Sequence, residues 1–459
     1  MGHQTYYCAI CAGPGSSRYA RNGIGSSAPQ ALEWRRSRVV RKRRKMLKTG
    51  VYPSIHRADD DDEDDEDETI QDGGWTKWQE VETYDPDLVS KGSMEWVDRI
   101  HCLGFNERSG KCVVKKSLFQ LGLTDVYMGL FVDSGTLFPD GSFPVRGQNG
   151  MTCKGSVHVP TCEDPDQPDW KTIFGTYFAE DAVFPFHWPC FNILLLALGE
   201  GSFPGNINKS ILYATMKGHQ SAPVLQGLDY GTIEGPHQDW ITIPGEEYSV
   251  TNPIAEDTTK FLQELLALDI FKHPLLDSST QIQNRVVHDP FAKIPFDVVY
   301  ILLSHLPTDS VLALSKASWF VNIATRYNGF WKMLITQEMK WCWELCSLLD
   351  EEKDKKGKKS RVSDEHAGKQ EEGRSAVKCD DHDEDNVASL NDTFDLPPDL
   401  SLKRFYLYLD NKTTPTYGMD AKFMSLGNRR RIWKPCQQLA DEYYEYEWLV
   451  VENGQGESR

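Results

Sequence analysis

Apolar residues between Asp289 and Leu334 recur at helical spacing on more faces than a single core needs. In DPFAKIPFDVVYILLSHLP, Val298, Ile301, Leu302 and His305 follow i, i+3, i+4, i+7 spacing, and Val299, Leu303 and Leu306 fill the adjoining face. Asp297 is suited to cap this first helix after Ile294-Pro295, and Pro307 stops it one residue past Leu306. Thr308 or Asp309 can cap a second helix, in which Val311, Leu312 and Leu314 are again apolar. A unit of fewer than about 50 residues cannot bury two apolar faces by itself. One face is expected to meet the rest of the chain and the other a partner.

The pattern elsewhere is mixed. Val113-Val114 and Val126 to Val132 read as short strands, the second weakened by Gly129. Phe186 to Leu198 reads as a buried helix, and Thr258 to Leu268 as a helix with a threonine cap. Ile335 to Leu349 continues the helical pattern through Met339, Trp341, Trp343 and Leu345. Arg404 to Leu409 (RFYLYL) is strand-like, and Asn428 to Tyr444 is a helix interrupted early by Pro435.

The expected organisation has six parts. They are a Cys-x-x-Cys knuckle in 1–25, a disordered basic and acidic linker over 26–74, and an α+β domain over 75–285. The docking helices and the helix after them follow over 286–349, then a disordered charged linker over 350–392 and a C-terminal segment over 393–459 packing on the main body. The fold class is α+β: an irregular mixed N-terminal domain and an all-α motif, with low-complexity inserts.

Ile294-Pro295, the acidic Asp297, Ile301, Leu306, Leu312, Leu314, the Ser318-Trp319 region and Phe330-Trp331 resemble an F-box. The match covers about a tenth of the chain. Trp319, where a basic or small residue is commoner, and Phe296 beside Asp297 depart from the pattern. The resemblance implies a small three-helix motif that binds the Skp adaptor of a cullin-RING ubiquitin ligase. It offers Ile294, Pro295, Val298, Ile301, Leu302, Leu306, Leu312 and Leu314 as the adaptor-binding set. The rest of the chain would then select the protein to be ubiquitinated, with no bond chemistry of its own. A wider resemblance rests on the order of CAIC, LDYG at Leu228 to Gly231, the DPFAKIPFDVVYILLSHLP stretch, MKWCWEL at Met339 to Leu345, and NRRRIW at Asn428 to Trp433. That order is similar to a group of fungal F-box proteins. It implies that the domain before the F-box and the segment after the second linker form one body.

Charge narrows the partners. The formal net charge is −18; Arg35 to Lys48 carries nine basic residues and Asp59 to Glu68 ten acidic ones, so the two runs nearly cancel and the remainder stands at −17. An acidic body repels phosphate backbones, which argues against a nucleic-acid enzyme. The basic run fits either a nuclear import signal or a solvated arm neutralised by the acidic run behind it. Met1 to Ala20 is polar, and the apolar run from Phe191 to Leu198 is far too short to span a bilayer. The 11 cysteines follow no framework spacing, which favours reduced thiols in the cytoplasm or nucleus.

Cys8 and Cys11 have the spacing of one half of a tetrahedral zinc site, and a structural site needs two further ligands. His101 and Cys102, or Cys153 and Cys162, could supply them through tertiary folding. His187 and Cys190, just before the Phe191 to Leu198 run, have the residue types of a Cys–His nucleophile pair, but no hydrolase motif surrounds them, so they read as a buried histidine at a helix start with a packed cysteine and not as a catalytic pair. Gly129, Gly135 and Gly141 are too widely spaced for a phosphate cradle. Asp229, Glu246 and Glu247 read as turn and surface positions, and Arg429, Arg430 and Arg431 as internal ion-pair partners tying the last segment to the body. The alternative to the F-box reading is a non-ubiquitin scaffold with a zinc knuckle and a buried helical hairpin.

Overall fold

In the computed structural model the described residues are 7–17, 20, 23–53, 82–106, 111–114, 156–159, 169–172, 184–201, 204, 207–220, 224–237, 240–272, 288–350, 396–397 and 399–456. They divide into two compact units, one formed by 1–255 with 410–459 and the other by 256–409. Helices dominate, and the strands form two small antiparallel sheets. The strand expected over Val126 to Val132 lies outside the described residues.

In the first unit, helix α1 (Pro29–Thr49) occupies part of the stretch expected to be disordered. Its basic residues find fixed acceptors. Arg36 Nε bonds Asp85 at 2.5 Å, and its guanidinium also reaches Asp87. Arg35 is buried against Thr83, and Arg43 donates to the Gly418 carbonyl. Composition alone could not reveal these acceptors, which lie far along the chain.

Strands β1 (Ile100–Asn106) and β2 (Lys111–Val114) pair antiparallel, with Phe105 opposite Cys112. Strands β3 (Ser156–Val159) and β4 (Asp169–Thr172) form a separate hairpin sheet. Strand β5 (Phe184–His187) pairs with the other edge of β1, placing Ile100 opposite His187. The chain then turns straight into α2 (Trp188–Leu198), with Pro189 in the first turn where its missing N–H costs nothing. WPCFNILLLAL is apolar on nearly every side, so the helix can only be buried. Helix α3 (Lys209–Gly218) follows, its first turn capped by the Asn208 side chain at 3.1 Å from Ser210 N and 3.3 Å from Ile211 N.

The second unit opens with α4 (Thr258–Leu266), whose preceding residue is Asp257, so Thr258 is not its cap. Four further helices are α5 (Phe296–Ser304), α6 (Thr308–Ala317), α7 (Trp319–Ala324) and α8 (Asn328–Glu338). Pro295 and Pro307 precede α5 and α6, so Asp297 and Asp309 fall in the first turns, where carboxylates favour the helix N-terminus. The helical pattern after Ile335 breaks at 339–342 before resuming over 343–350.

RFYLYL lies in a helix, α9 (Leu402–Thr413), rather than a strand. Leu402, Phe405, Tyr406 and Leu409 are all buried, at i, i+3, i+4 and i+7, so the packed face has helical spacing although the local alternation looked strand-like. The Asn328 side chain holds the start of α9, donating to Leu400 O at 2.6 Å and accepting from Leu402 N at 3.0 Å.

Helix α10 (Met424–Gly456) returns the chain to the first unit and lies along α2 and α3. It runs through Pro435 without interruption. Proline withholds one backbone N–H from the Arg431 carbonyl, but buried Arg429, Arg431, Ile432, Cys436, Leu439 and Ala440 hold the helix on both sides of that gap. Among the described residues, no helix is long and apolar enough to cross a membrane.

Candidate metal centre and docking face

Four ligand side chains converge in the first unit: Cys8, Cys11, His187 and Cys190, their donor atoms all within 4.8 Å of one another. All four are fully buried. The two halves are far apart in sequence, Cys11 and His187 being 176 positions apart. Residues 8–13 form a tight knuckle in which Cys8 N donates to Gly13 O at 2.9 Å and Ala12 N to Cys8 O at 2.9 Å, with Ala12 at a φ of 57°. His187 ends β5 and Cys190 lies in the first turn of α2, so the strand-to-helix junction delivers the second pair. Ala9 N donates to Pro185 O at 2.7 Å, stitching the knuckle to β5.

His187 Nδ1 lies 3.3 Å from Cys11 Sγ and 3.7 Å from Cys190 Sγ. Its Nε2 lies 3.0 Å from the Pro14 carbonyl oxygen, which can only accept, so Nε2 carries the proton. In the neutral ring this leaves the Nδ1 lone pair aimed at the sulfurs. Backbone amides also point at sulfur: Gly13 N to Cys11 Sγ at 3.3 Å and His187 N to Cys8 Sγ at 3.4 Å.

Electrostatics within the cluster are strongly coupled. Burial alone would raise the Cys11 thiol, but hydrogen bonds from Cys190 and Cys8 and the charge of His187 outweigh it and hold Cys11 well below the ordinary thiol range. Burial would lower His187, but the negative charge of Cys8 and Cys11 pushes it up to about 10. Burial, together with hydrogen bonds to Cys11 and Cys8, pushes Cys190 well above the ordinary value.

A second layer fixes this arrangement. Arg431, buried on α10, donates to the Cys11 carbonyl at 2.7 Å, while its Nε and Nη2 grip Asn428 Oδ1 at 3.0 and 2.8 Å. Tyr230 of the LDYG stretch donates to Ala9 O at 2.9 Å. Gly231 has a φ of +80°, and a Cβ there would sit 3.3 Å from Arg431 Cγ. Asp229 accepts from Gly231 N and pairs with Lys434 at 3.1 Å, which hold its carboxyl below the usual range. The CAIC, LDYG and NRRRIW segments thus meet around one centre.

The other sequence candidates fall elsewhere. His101 is buried 4.7 Å from the Trp188 ring and stacked on Phe186, outside the cluster. Cys153 and Cys162 lie outside the described residues, as do Gly129, Gly135 and Gly141. Among the described residues, the side chains of metal-ligating type that meet Cys8 and Cys11 are His187 and Cys190. Their Cys-x-x-Cys and His-x-x-Cys spacings match, but nothing local links them across 176 residues. Glu246 and Glu247 are buried rather than at the surface. Glu247 accepts from Gly245 N at 2.9 Å and Asp85 N at 3.3 Å, and burial raises its carboxyl. Of the arginine triplet, Arg430 pairs with Asp410 at 2.7 Å, whereas Arg429 reaches the Pro253 carbonyl at 2.8 Å and Arg431 the Cys11 carbonyl.

In the second unit, α5 splits its apolar residues between two environments. Val299 and Leu303 are buried with Val311, Val321, Phe330 and Trp331. Val298, Ile301 and Leu302 face water at 45%, 57% and 49% exposure, beside exposed Phe296 and Tyr327. Pro295 is exposed, and Ile294, Leu306, Leu312 and Leu314 are half-buried. None of the eight residues implied to bind the adaptor is in the core.

Asp289 braces this unit, accepting from Phe291 N at 3.0 Å, Ser318 Oγ at 2.9 Å and Phe320 N at 2.9 Å. Burial works against ionisation there, but the amide of Phe320 and the Ser318 hydroxyl hold its carboxyl below the usual range. Comparison of the chain with known protein families, curated proteins and solved structures found no match to any of them.

Proposed function

We propose that the protein is an F-box substrate receptor: α5 and its neighbours dock on a Skp adaptor, and the rest of the chain holds a protein target for ubiquitination. The observation that carries this reading is the two-faced α5. Val299 and Leu303 satisfy the unit's own core, yet Val298, Ile301 and Leu302 stay in water on an ordered helix. Leaving three large aliphatic side chains exposed on one short helix has a cost in solubility that a bound partner removes. An amphipathic helix laid into an apolar groove is a recurrent way to make that contact. The receptor would act by raising the effective concentration of its target near the ubiquitin-conjugating enzyme. Its place of work would be the cytoplasm or nucleus, in keeping with the free cysteines among the described residues.

The test is co-purification of the full chain with a Skp adaptor. Wild type should bind, and Ile301→Asp with Leu302→Asp should abolish binding while circular dichroism and Tm stay near wild type, because both side chains are already exposed. Failure of folded wild type to bind sinks the adaptor reading and favours a scaffold role outside the ubiquitin system.

A further inference from the structure

We propose that Cys8, Cys11, His187 and Cys190 bind one structural zinc ion that locks the N-terminal knuckle onto the β5–α2 junction. The donor set is three sulfurs and one imidazole nitrogen, a combination that selects zinc among common divalent ions. A tetrahedron with Zn–S bonds of about 2.3 Å and a Zn–N bond of about 2.0–2.1 Å places sulfur and nitrogen about 3.6 Å apart. The observed Nδ1–Sγ separations of 3.3 and 3.7 Å straddle that value.

The surroundings are those of a metal-binding site. A ligating imidazole donates its other N–H to a fixed acceptor, and His187 does this to the Pro14 carbonyl. In the zinc-bound centre the three cysteines would be thiolates and the ring neutral, which gives the centre a net charge of −1. The buried guanidinium of Arg431, bonded to the Cys11 carbonyl, and the two amide N–H groups aimed at sulfur offset that charge. With all four ligands enclosed, the site is closed rather than open to a reacting molecule, which separates a structural centre from a catalytic one. It also separates zinc from the Cys–His nucleophile reading, which needs access for a substrate.

The inference is independent of adaptor binding. Full-length protein purified without chelator should carry one equivalent of zinc per chain. Cobalt exchanged into it should give the intense visible bands and thiolate charge-transfer absorption of a tetrahedral three-sulfur, one-nitrogen site. Cys190→Ser should lose the metal, and if that variant fails to fold, His187→Cys decides the question: it restores a four-ligand set and should retain zinc. Cys436→Ala, a buried cysteine outside the set, should leave the stoichiometry unchanged. Folded, soluble wild type with only trace metal overturns the proposal, as does a disulfide among Cys8, Cys11 and Cys190 or loss of zinc in Cys436→Ala.

Discussion

Arg431 shows how one buried cation can organise a site without touching a ligand atom. Its guanidinium meets Cys11 O, Tyr230 O and Asn428 Oδ1, all in the interior. Hydrogen bonds to a charged group are worth about 1.5–3 kcal/mol, and removing the donor leaves the acceptors unpaired. Arg431→Met should therefore lower Tm clearly, and Arg431→Lys should not restore it, because an ammonium cannot span the same fork. Thermal denaturation of both variants checks this.

Glu246 is the clearest pH-sensitive residue. Burial pushes its carboxyl up to about 8, with Glu234 adding to the rise, while Tyr52, which donates to it at 2.8 Å, and Arg431 oppose it. Below the unfolded pKa both states hold the proton and nothing is lost. Between that value and about 8 the unfolded state ionises first, so stability falls as pH rises, by up to about 1.4 kcal/mol per unit. Glu246→Gln keeps an acceptor for Tyr52 and should raise Tm at pH 8, the gain shrinking towards zero near pH 4. An equal gain at both pH values would show that ionisation is not the cause.

At the scale of elements, the buried and exposed faces of α5 should separate stability from the proposed adaptor binding. Leu303→Ala empties a core position and should cost about 2–4 kcal/mol. Ile301→Ala, on the same helix, should leave denaturant midpoints nearly unchanged and weaken adaptor binding instead. Asp289 acts between elements, capping the turn at Pro290–Lys293 and accepting from the start of α7. Asp289→Ala should cost about 0.5–2 kcal/mol, the range of a lost cap, read as a shift in the urea midpoint. The helix at Leu402–Thr413 was illegible locally because aromatic and aliphatic residues alternate in RFYLYL, and only the face that packs reveals its period.

At the scale of the whole molecule, the sequence by itself determined what depends on near neighbours. The helical period of 296–317, the proline breaks at Pro295 and Pro307, the knuckle spacing of Cys8 and Cys11 and the acidic balance all follow from short-range pattern and composition. Tertiary structure decided what depends on distant ones. It ordered α1 by giving Arg35, Arg36 and Arg43 acceptors at Thr83, Asp85, Asp87 and Gly418. It chose which apolar face of α5 is buried. It also brought His187 and Cys190 to Cys8 and Cys11 across most of the first unit. Each pair has its own local x-x spacing, but that the two pairs belong together emerges only when folding places their donor atoms within 4.8 Å of one another.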